Sequence, residues 1–209
     1  MEIYIGVDPS FNSTGICKLY YDEQGNLIRE QFYIVRPSNS SLTKREQQAS
    51  EKCSDVFKYD FYDKQDLSSY KEDNHMYELL KTQNACQLMD KIKQLVCFDI
   101  STYDTAYVLQ EGISYGSSIR TKSIFDLAGL NYLLRNVFIH CDGYVFTIAT
   151  PANIKKFATG KGNAKKQMIV ENFLQQHKKL SCIPKVDDIA DAYFMAQFAR
   201  NLKNKDGQY

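Results

Sequence analysis

The sequence predicts an α/β fold in which helices flank a mixed five-stranded sheet, with three antiparallel strands followed by two parallel ones. Two observations support this prediction. Three short apolar segments separated by turns open the chain, and from residue 76 onward helical and strand-like segments alternate. The chain has 209 residues, of which 44% are hydrophobic, so it can bury a core, and we expect residues 1–209 to form a single domain.

Alternating branched and aromatic residues indicate the three opening strands. They cover residues 3–7, 14–20 and 27–35. Pro9 is typical of the turn after the first strand, and Pro37 ends the third. Residues 38–74 are polar with isolated aromatics, and we interpret them as an excursion from the domain because loops of that length are uncommon in compact domains.

The remaining segments alternate between helical and strand-like patterns. Apolar residues near a 3.6-residue period predict helices, and short apolar runs predict strands. In order, they are a helix over 76–95, a strand over 105–112, a helix over 123–136, a strand over 144–149, and helices over 163–177 and 187–202. We expect Asn163 to be the N-cap of its helix. This element order is that of the ribonuclease H-like fold.

Composition narrows the class of protein without identifying a partner. The formal net charge is +1, because 26 basic residues nearly balance 25 acidic ones, so charge neither requires nor forbids a polyanionic ligand. The six cysteines include no Cys-x-x-Cys pair, and we expect reduced thiols rather than a zinc site or a disulfide framework. The sequence has no basic-then-apolar leader and no membrane-length apolar run, so we expect a cytoplasmic protein with no membrane partner.

Four carboxylates occupy positions that the predicted fold would bring together. Asp8 and Glu111 each end an apolar strand, and such strand ends share one edge of an α/β sheet. Asp188 and Asp191 are three residues apart and therefore on one face of the closing helix. Crowded carboxylates repel one another unless cations lie between them, and divalent ions with oxygen ligands are the natural counter-charge. We therefore predict a site for two hard divalent ions that can hydrolyse a phosphodiester.

A simpler interpretation, as a turn or helix-capping residue, suits some of these carboxylates better than others. Asp8 is a favoured turn residue and Asp188 stands near a helix start, whereas Glu111 is of a type favoured in neither strands nor turns. Asp191 lies in an otherwise apolar stretch, where a carboxylate needs a partner. Asp187 shares a helical face with Asp191 as well, so the choice between Asp187 and Asp188 stays open at this point.

A basic, glycine-containing stretch follows the last predicted strand. Residues 149–167 lead into a helix N-terminus, and this combination suits phosphate groups through side-chain charge and exposed amides. A solvated basic face would have the same charge pattern. The stretch is not a Walker loop, because the required glycine spacing before Gly-Lys-Ser/Thr is missing. Its candidate DNA contacts are Lys155, Lys156, Lys161, Lys165 and Lys166.

The chain resembles the RuvC-type Holliday junction resolvases, particularly their phage relatives, in four blocks. The blocks contain Ile-Gly-Val-Asp-Pro with Thr-Gly, then Gln-Glu with the helix that follows, Thr-Gly-x-Gly, and Asp-Ile-Ala-Asp-Ala. Ser10 stands where the family usually has glycine. The four blocks are residues 5–9 with 14–15, 110–111 with 123–134, 150–166, and 188–192.

The resemblance implies a homodimer that places two metal-dependent sites on a four-way DNA junction and nicks opposing strands. It implies phosphate contacts by Lys161 and by Lys165 or Lys166. It also implies a base contact by an aromatic residue shortly after the glutamate, for which Tyr115 is the nearest candidate. The implied ligands of two magnesium or manganese ions are Asp8, Glu111, Asp188 and Asp191.

Other functions stay open from the sequence alone. The stretch between Asp8 and Glu111 is longer than in the cellular enzymes, so a nuclease acting on flaps, branches or replication intermediates is the main alternative. A non-catalytic nucleic-acid-binding module of the same fold would not need four mutually repelling carboxylates. An actin-like or sugar-kinase-like ATPase would need a second domain, for which 209 residues leave little room.

Overall fold

The computed structural model describes residues 1–97, 105–113 and 121–206, which contain six strands and six α-helices. The strands are β1 (Glu2–Asp8), β2 (Thr14–Tyr21), β3 (Leu27–Pro37), β4 (Phe57–Tyr62), β5 (Thr105–Glu111) and β6 (Tyr144–Ala149). The helices are α1 (Lys44–Lys52), α2 (Asn74–Cys97), α3 (Thr121–Ile139), α4 (Pro151–Thr159), α5 (Lys166–Gln176) and α6 (Val186–Asp206). Short 3₁₀ helices lie at Ser68–Tyr70 and Lys178–Cys182.

The strands form one mixed sheet in the order β4-β3-β2-β1-β5-β6. β1, β2 and β3 pair antiparallel, β5 pairs parallel with β1, and β6 pairs parallel with β5. The predicted α/β class is therefore confirmed, as is a sheet that begins with three antiparallel strands and continues with parallel ones.

The expected number of five strands is wrong by one, because residues 38–74 contribute a strand. This range contains α1, β4 and the first 3₁₀ helix. β4 pairs parallel with β3 at the sheet edge and buries Phe57 and Tyr62. A capping box between Thr43 and Glu46 starts α1. Residues 38–74 are too polar to show a strand pattern in the sequence. A few aromatic side chains are nevertheless enough to pack an edge strand such as β4.

Helices cover both faces of the sheet. Ile3, Ile5 and Val7 of β1 pack in a core with residues of α2 and α3, whereas Tyr4 packs on the opposite face with residues of α6. This division follows from the alternation of side chains along a strand. α6 lies across β1, β2 and β5. None of the helices in the described ranges is both long and apolar enough to cross a bilayer.

The basic stretch contains a helix, α4, that the sequence pattern did not predict. The Thr150 side chain accepts a hydrogen bond from the Asn153 N–H and so caps its start, and Gly160, with φ of 78°, ends it. The expected N-cap Asn163 is wrong. α5 begins only at Lys166, because the residues between the two helices form a separate turn.

α6 approaches β1 closely because Gly6 has no side chain. A Cβ at Gly6 would lie 1.9 Å from the Ala192 carbonyl oxygen and 2.8 Å from the Ala196 amide nitrogen. Any larger residue must therefore displace backbone, not merely the end of a side chain.

We expect Gly6→Ala to lower the free energy of unfolding by about 2–4 kcal/mol, measured by urea denaturation, since overpacking against backbone is costly. Gly129→Ala is the comparison, made at a protein concentration low enough to avoid association, because Gly129 lines a groove between α2 and α3. Gly129 is exposed in α3, and an added Cβ would meet nothing within 4 Å outside its own helix. That change should be neutral or stabilise by about 0.5–1 kcal/mol, because alanine favours helices over glycine. Equal losses in the two variants would contradict the close approach at Gly6.

Candidate active site

The carboxyl ends of β1 and β5 place Asp8 and Glu111 side by side. The two strands are parallel neighbours with Val7 opposite Gln110, so the next residue of each strand lies at the same edge of the sheet. Both carboxylates are half-buried. The structure thus brings together the two strand-end carboxylates that the sequence singled out.

The first turns of α6 bring Asp188 and Asp191 to the same edge. Gly15, which pairs with Asp8 across the β1–β2 hairpin, lies directly beneath this part of α6. A Cβ at Gly15 would stand 2.1 Å from the Asp188 carbonyl oxygen, so only glycine permits this approach. The Ser13 hydroxyl donates a hydrogen bond to Asp188 Oδ2. The turn that follows Asp8 therefore also holds Asp188.

The β1–β2 turn is closed by its own side chains and braced by β4. The Ser10 N–H donates to Thr14 Oγ1 at 3.0 Å, and the Thr14 hydroxyl donates to the Ser10 carbonyl at 2.8 Å. From outside the hairpin, the Tyr62 hydroxyl donates to the Phe11 carbonyl at 2.6 Å. Ser10 therefore fits within an ordered turn.

Lys166, the first residue of α5, lies among the acidic side chains of α6. Its Nζ is 2.8 Å from Asp187 Oδ2, 3.5 Å from Asp191 Oδ2 and 4.0 Å from Asp188 Oδ1. Asp187 is the most exposed of the three, with 37% of its side chain accessible against 14% for Asp188. The carboxylates that raise the pKa of Asp8 are those of Asp191, Glu111 and Asp188. Asp188 is therefore the more buried of the two alternatives and is the one whose charge acts on Asp8.

Burial and mutual repulsion set the protonation behaviour of this group. Burial, followed by the charges of the three neighbouring carboxylates, raises the pKa of Asp8 well above its ordinary value. Burial also raises the pKa values of Glu111, Asp188 and Asp191, although Lys166 opposes the rise at each. Burial lowers the pKa of Lys166, but hydrogen bonding and nearby carboxylates outweigh it and the net shift is upward. Ionising all four carboxylates is therefore energetically unfavourable, and a bound cation would reduce their mutual repulsion.

The donor set suits Mg²⁺ or Mn²⁺, which take carboxylate oxygens as ligands. With the side chains placed as they are, no three His, Cys, Asp or Glu residues within the described ranges stand close enough to share one ion. The Lys166 ammonium lies beside Asp188 and Asp191 instead. A divalent ion would therefore compete with Lys166 for these two carboxylates.

A cavity of about 160 Å³ opens beside the carboxylates. Glu111 and Asp191 contribute acidic groups to its lining, and Lys155 and Lys166 contribute basic ones. Its volume is several times the roughly 30 Å³ that one water occupies in the liquid, so it has room for a phosphate-sized group. Charges of both signs at one cavity suit a phosphate ester held by lysines beside acidic ligands.

The candidate DNA contacts fall into two sets. Lys155 and Lys166 line the cavity. The other three lysines of the basic stretch do not line it and, like Lys166, are exposed to solvent. Tyr115 lies outside the described residues. The three exposed lysines that do not line the cavity are Lys156, Lys161 and Lys165.

Sequence reasoning missed two residues that support the site. Ser13 stands directly before the Thr14-Gly15 pair, and that adjacency was the available signal for it. No sequence pattern predicted the role of Tyr62, because its contact with Phe11 joins the polar range 38–74 to a turn 51 positions away.

The mixed sheet with helices on both faces gives this chain an α/β fold of the ribonuclease H-like type. The solved structure of Thermus thermophilus RuvC matches it with a TM-score of 0.52 at 13% identity, covering 98% of this chain and 96% of that one. The yeast mitochondrial Holliday junction resolvase Ydc2 matches with a TM-score of 0.49 at 15% identity, covering 97% of this chain and 81% of that one. No protein-family model and no curated protein matches the sequence. The first likeness shows that this chain has the fold of RuvC.

Proposed function

We propose that this protein is a metal-dependent, structure-specific DNA endonuclease that resolves four-way (Holliday) junctions by paired nicks. The observation that carries the proposal is the convergence of carboxylates from β1, β5 and α6 at one edge of the sheet. A module that only bound DNA would be weakened by these groups, because they repel one another and repel phosphates. The residues concerned are Asp8, Glu111, Asp188 and Asp191.

In this proposal the four carboxylates hold two Mg²⁺ ions, for which Mn²⁺ can substitute. When bound, such ions activate water and stabilise the leaving oxygen of a phosphodiester. Lys155, which lines the cavity with Glu111, donates hydrogen bonds to a phosphate oxygen of the strand to be cut. Lys166 keeps Asp188 and Asp191 oriented toward the sheet edge by charge.

The exposed Lys161 and Lys165 are proposed to bind phosphates of the junction arms. We expect Lys161→Gln and Lys165→Gln each to weaken junction binding at all DNA sequences and to reduce the slope of log K against log salt by about 0.9. Fluorescence anisotropy at several salt concentrations measures both quantities. Lys93→Gln is the control, because Lys93 is exposed on α2, on the opposite face of the sheet. A slope that is unchanged in both lysine variants would contradict the assignment.

Paired nicks require two active sites, so we propose that the protein acts as a homodimer. A mainly apolar groove of about 680 Å³ between α2 and α3 is the candidate contact surface. Phe125 and Tyr132 line it with 72% and 59% of their surface exposed, which is unusual for large aromatic residues. We expect Phe125→Glu to shift the protein from dimer to monomer in sedimentation equilibrium and to uncouple the two nicks. An unchanged dimer would rule out this groove as the interface.

Cleavage of matched four-way junction, flap, replication-fork and linear duplex substrates tests the proposed function. Symmetrically paired, magnesium-dependent nicks confined to the junction would support resolution. Efficient nicking of flaps or forks would instead identify a broader branched-DNA nuclease. No divalent-dependent cleavage of any substrate would refute nuclease activity altogether.

A further inference from the structure

We infer that Cys53 and Cys182 form a thiol–disulfide modification site that fastens the α1–β4 unit to the segment leading into α6. Cys53 directly follows α1, and Cys182 ends the second 3₁₀ helix. Both are free thiols in this structure. Their Sγ atoms lie 3.6 Å apart, although the residues are 129 positions apart in the chain.

Both thiols point at the same backbone carbonyl. Cys53 Sγ and Cys182 Sγ each donate to the Lys179 carbonyl oxygen, at 3.5 and 3.4 Å. Lys179 joins the same two segments a second time, because its Nζ lies 2.6 Å from Asp55 Oδ1. The Cys53 N–H donates to the Ala49 carbonyl at 3.1 Å, which fixes its backbone at the end of α1.

Because of these contacts, the sulfurs of Cys53 and Cys182 need to move only a short distance before a disulfide can form. A disulfide needs the two sulfurs at about 2.05 Å, so they must close by roughly 1.5 Å. Side-chain rotation supplies displacements of that size without moving either backbone segment.

The two thiols differ in access, and this difference gives the reaction an order. Cys182 is partly exposed, whereas Cys53 is fully buried. A soluble oxidant therefore reaches Cys182 first. Burial also raises the pKa of the Cys53 thiol to about 11, so that Cys53 suits the second step rather than the first.

The oxidant we propose is a small-molecule disulfide such as oxidised glutathione. The Cys182 thiolate attacks one glutathione sulfur, breaks the glutathione S–S bond, and releases one glutathione thiolate that takes up the proton lost by Cys182. Cys53 then loses its proton, and its sulfur attacks the Cys182 sulfur of the mixed disulfide and releases the second glutathione. The two protein thiols lose two electrons and two protons, which the oxidised glutathione gains.

The bond would join two parts of the molecule that flank the carboxylate edge. At one end, the α1–β4 unit touches the Asp8 turn through the hydrogen bond from Tyr62 to Phe11. At the other end, Cys182 precedes the start of α6 at Val186. A closed loop of this length restricts the unfolded chain strongly, so oxidation should stabilise the fold.

Intact mass, peptide mapping and thermal unfolding of the full chain after incubation with oxidised glutathione test the inference without DNA. We expect a mass loss of about 2 Da and a peptide that joins Cys53 to Cys182. We also expect a rise in Tm of roughly 5–10 °C that dithiothreitol reverses. Cys182→Ser should abolish the mass loss, the cross-linked peptide and the rise in Tm. Because Cys182 is partly exposed, this substitution should disturb the fold less than Cys53→Ser.

Substitutions at two other cysteines test whether the cross-link is specific to Cys53 and Cys182. The thiols of Cys97 and Cys141 also contact each other, so the experiment is made in a Cys97→Ser background. Cys86→Ser removes an exposed cysteine of α2 and should leave the cross-link and the Tm rise intact. A persistent glutathione adduct without loop closure, or an internal cross-link between other cysteines, would overturn the assignment.

Discussion

Asp8→Asn is expected to abolish magnesium-dependent nicking while junction binding persists. Asparagine keeps the size of the side chain but removes its charge from the carboxylate group. Losing several kcal/mol of ion-dependent stabilisation should slow single-turnover nicking by at least about 10²–10³-fold. Phosphate contacts are assigned to lysines, and removal of a negative charge does not weaken them, so anisotropy titrations of a labelled junction should show binding intact.

The same variant should be more stable than the wild type at neutral pH without divalent ions. Burial and the neighbouring carboxylates raise the pKa of Asp8 in the folded state. The folded state therefore binds more protons than the unfolded state, and wild-type stability falls as pH rises from about 4 toward the folded pKa. Asparagine does not titrate, so the Tm advantage of Asp8→Asn should be small at about pH 3.5 and should grow as pH rises.

Asp22→Asn is the control for both measurements. Asp22 is a partly exposed turn residue whose pKa is lowered by hydrogen bonds from Asn26. Its replacement should leave nicking unchanged and give no stability gain at neutral pH. Equal cleavage by wild type and Asp8→Asn would remove Asp8 from the site.

Lys166→Met should produce the second large effect, a loss of stability at neutral pH that magnesium reverses. The Lys166 ammonium lies within 4.0 Å of Asp187, Asp188 and Asp191, and without it the α6 carboxylates repel one another more strongly. Their folded pKa values should rise further, so stability should fall more steeply as pH increases above about 4. Millimolar Mg²⁺ should then raise the Tm more in the variant than in the wild type, because the ion has no ammonium to displace.

Lys165→Met provides the comparison for this experiment, since it removes the same charge and side-chain type from the exposed preceding residue. Differential scanning fluorimetry across a magnesium series measures both variants. Identical magnesium shifts in the two would show that Lys166 does not occupy the place of a cation.

Local patterns were sufficient for five of the six strands in the described residues and for two of the carboxylates. The alternation of Ile3, Ile5 and Val7 with Tyr4 reflects a strand packed on both faces, and the structure divides these residues between two cores. Asp8 and Glu111 could be paired from the sequence because carboxyl ends of parallel strands meet at one edge. β4 could not be found in the same way, because its burial depends on the neighbouring β3 and not on its own composition.

Contacts between distant segments account for what sequence reasoning left open. Helical spacing permitted either Asp187 or Asp188 to face Asp191. In the structure Ser13 donates a hydrogen bond to Asp188, and the side chain of Asp187 is the more exposed of the two. The position of Lys166 depends on where α5 begins, which follows from the intervening turn after α4. No spacing rule relates Cys53 to Cys182.

The position of α6 across β1 has a consequence for how the protein acquires activity. Ser13 and Asp188 meet across 175 positions, and the strand that bears Asp8 lies in the middle of the sheet. Contacts of such long range cost loop-closure entropy and exist only where α6 has docked on the sheet. The proposed cutting chemistry would therefore be absent from any partly folded form in which α6 is detached from β1.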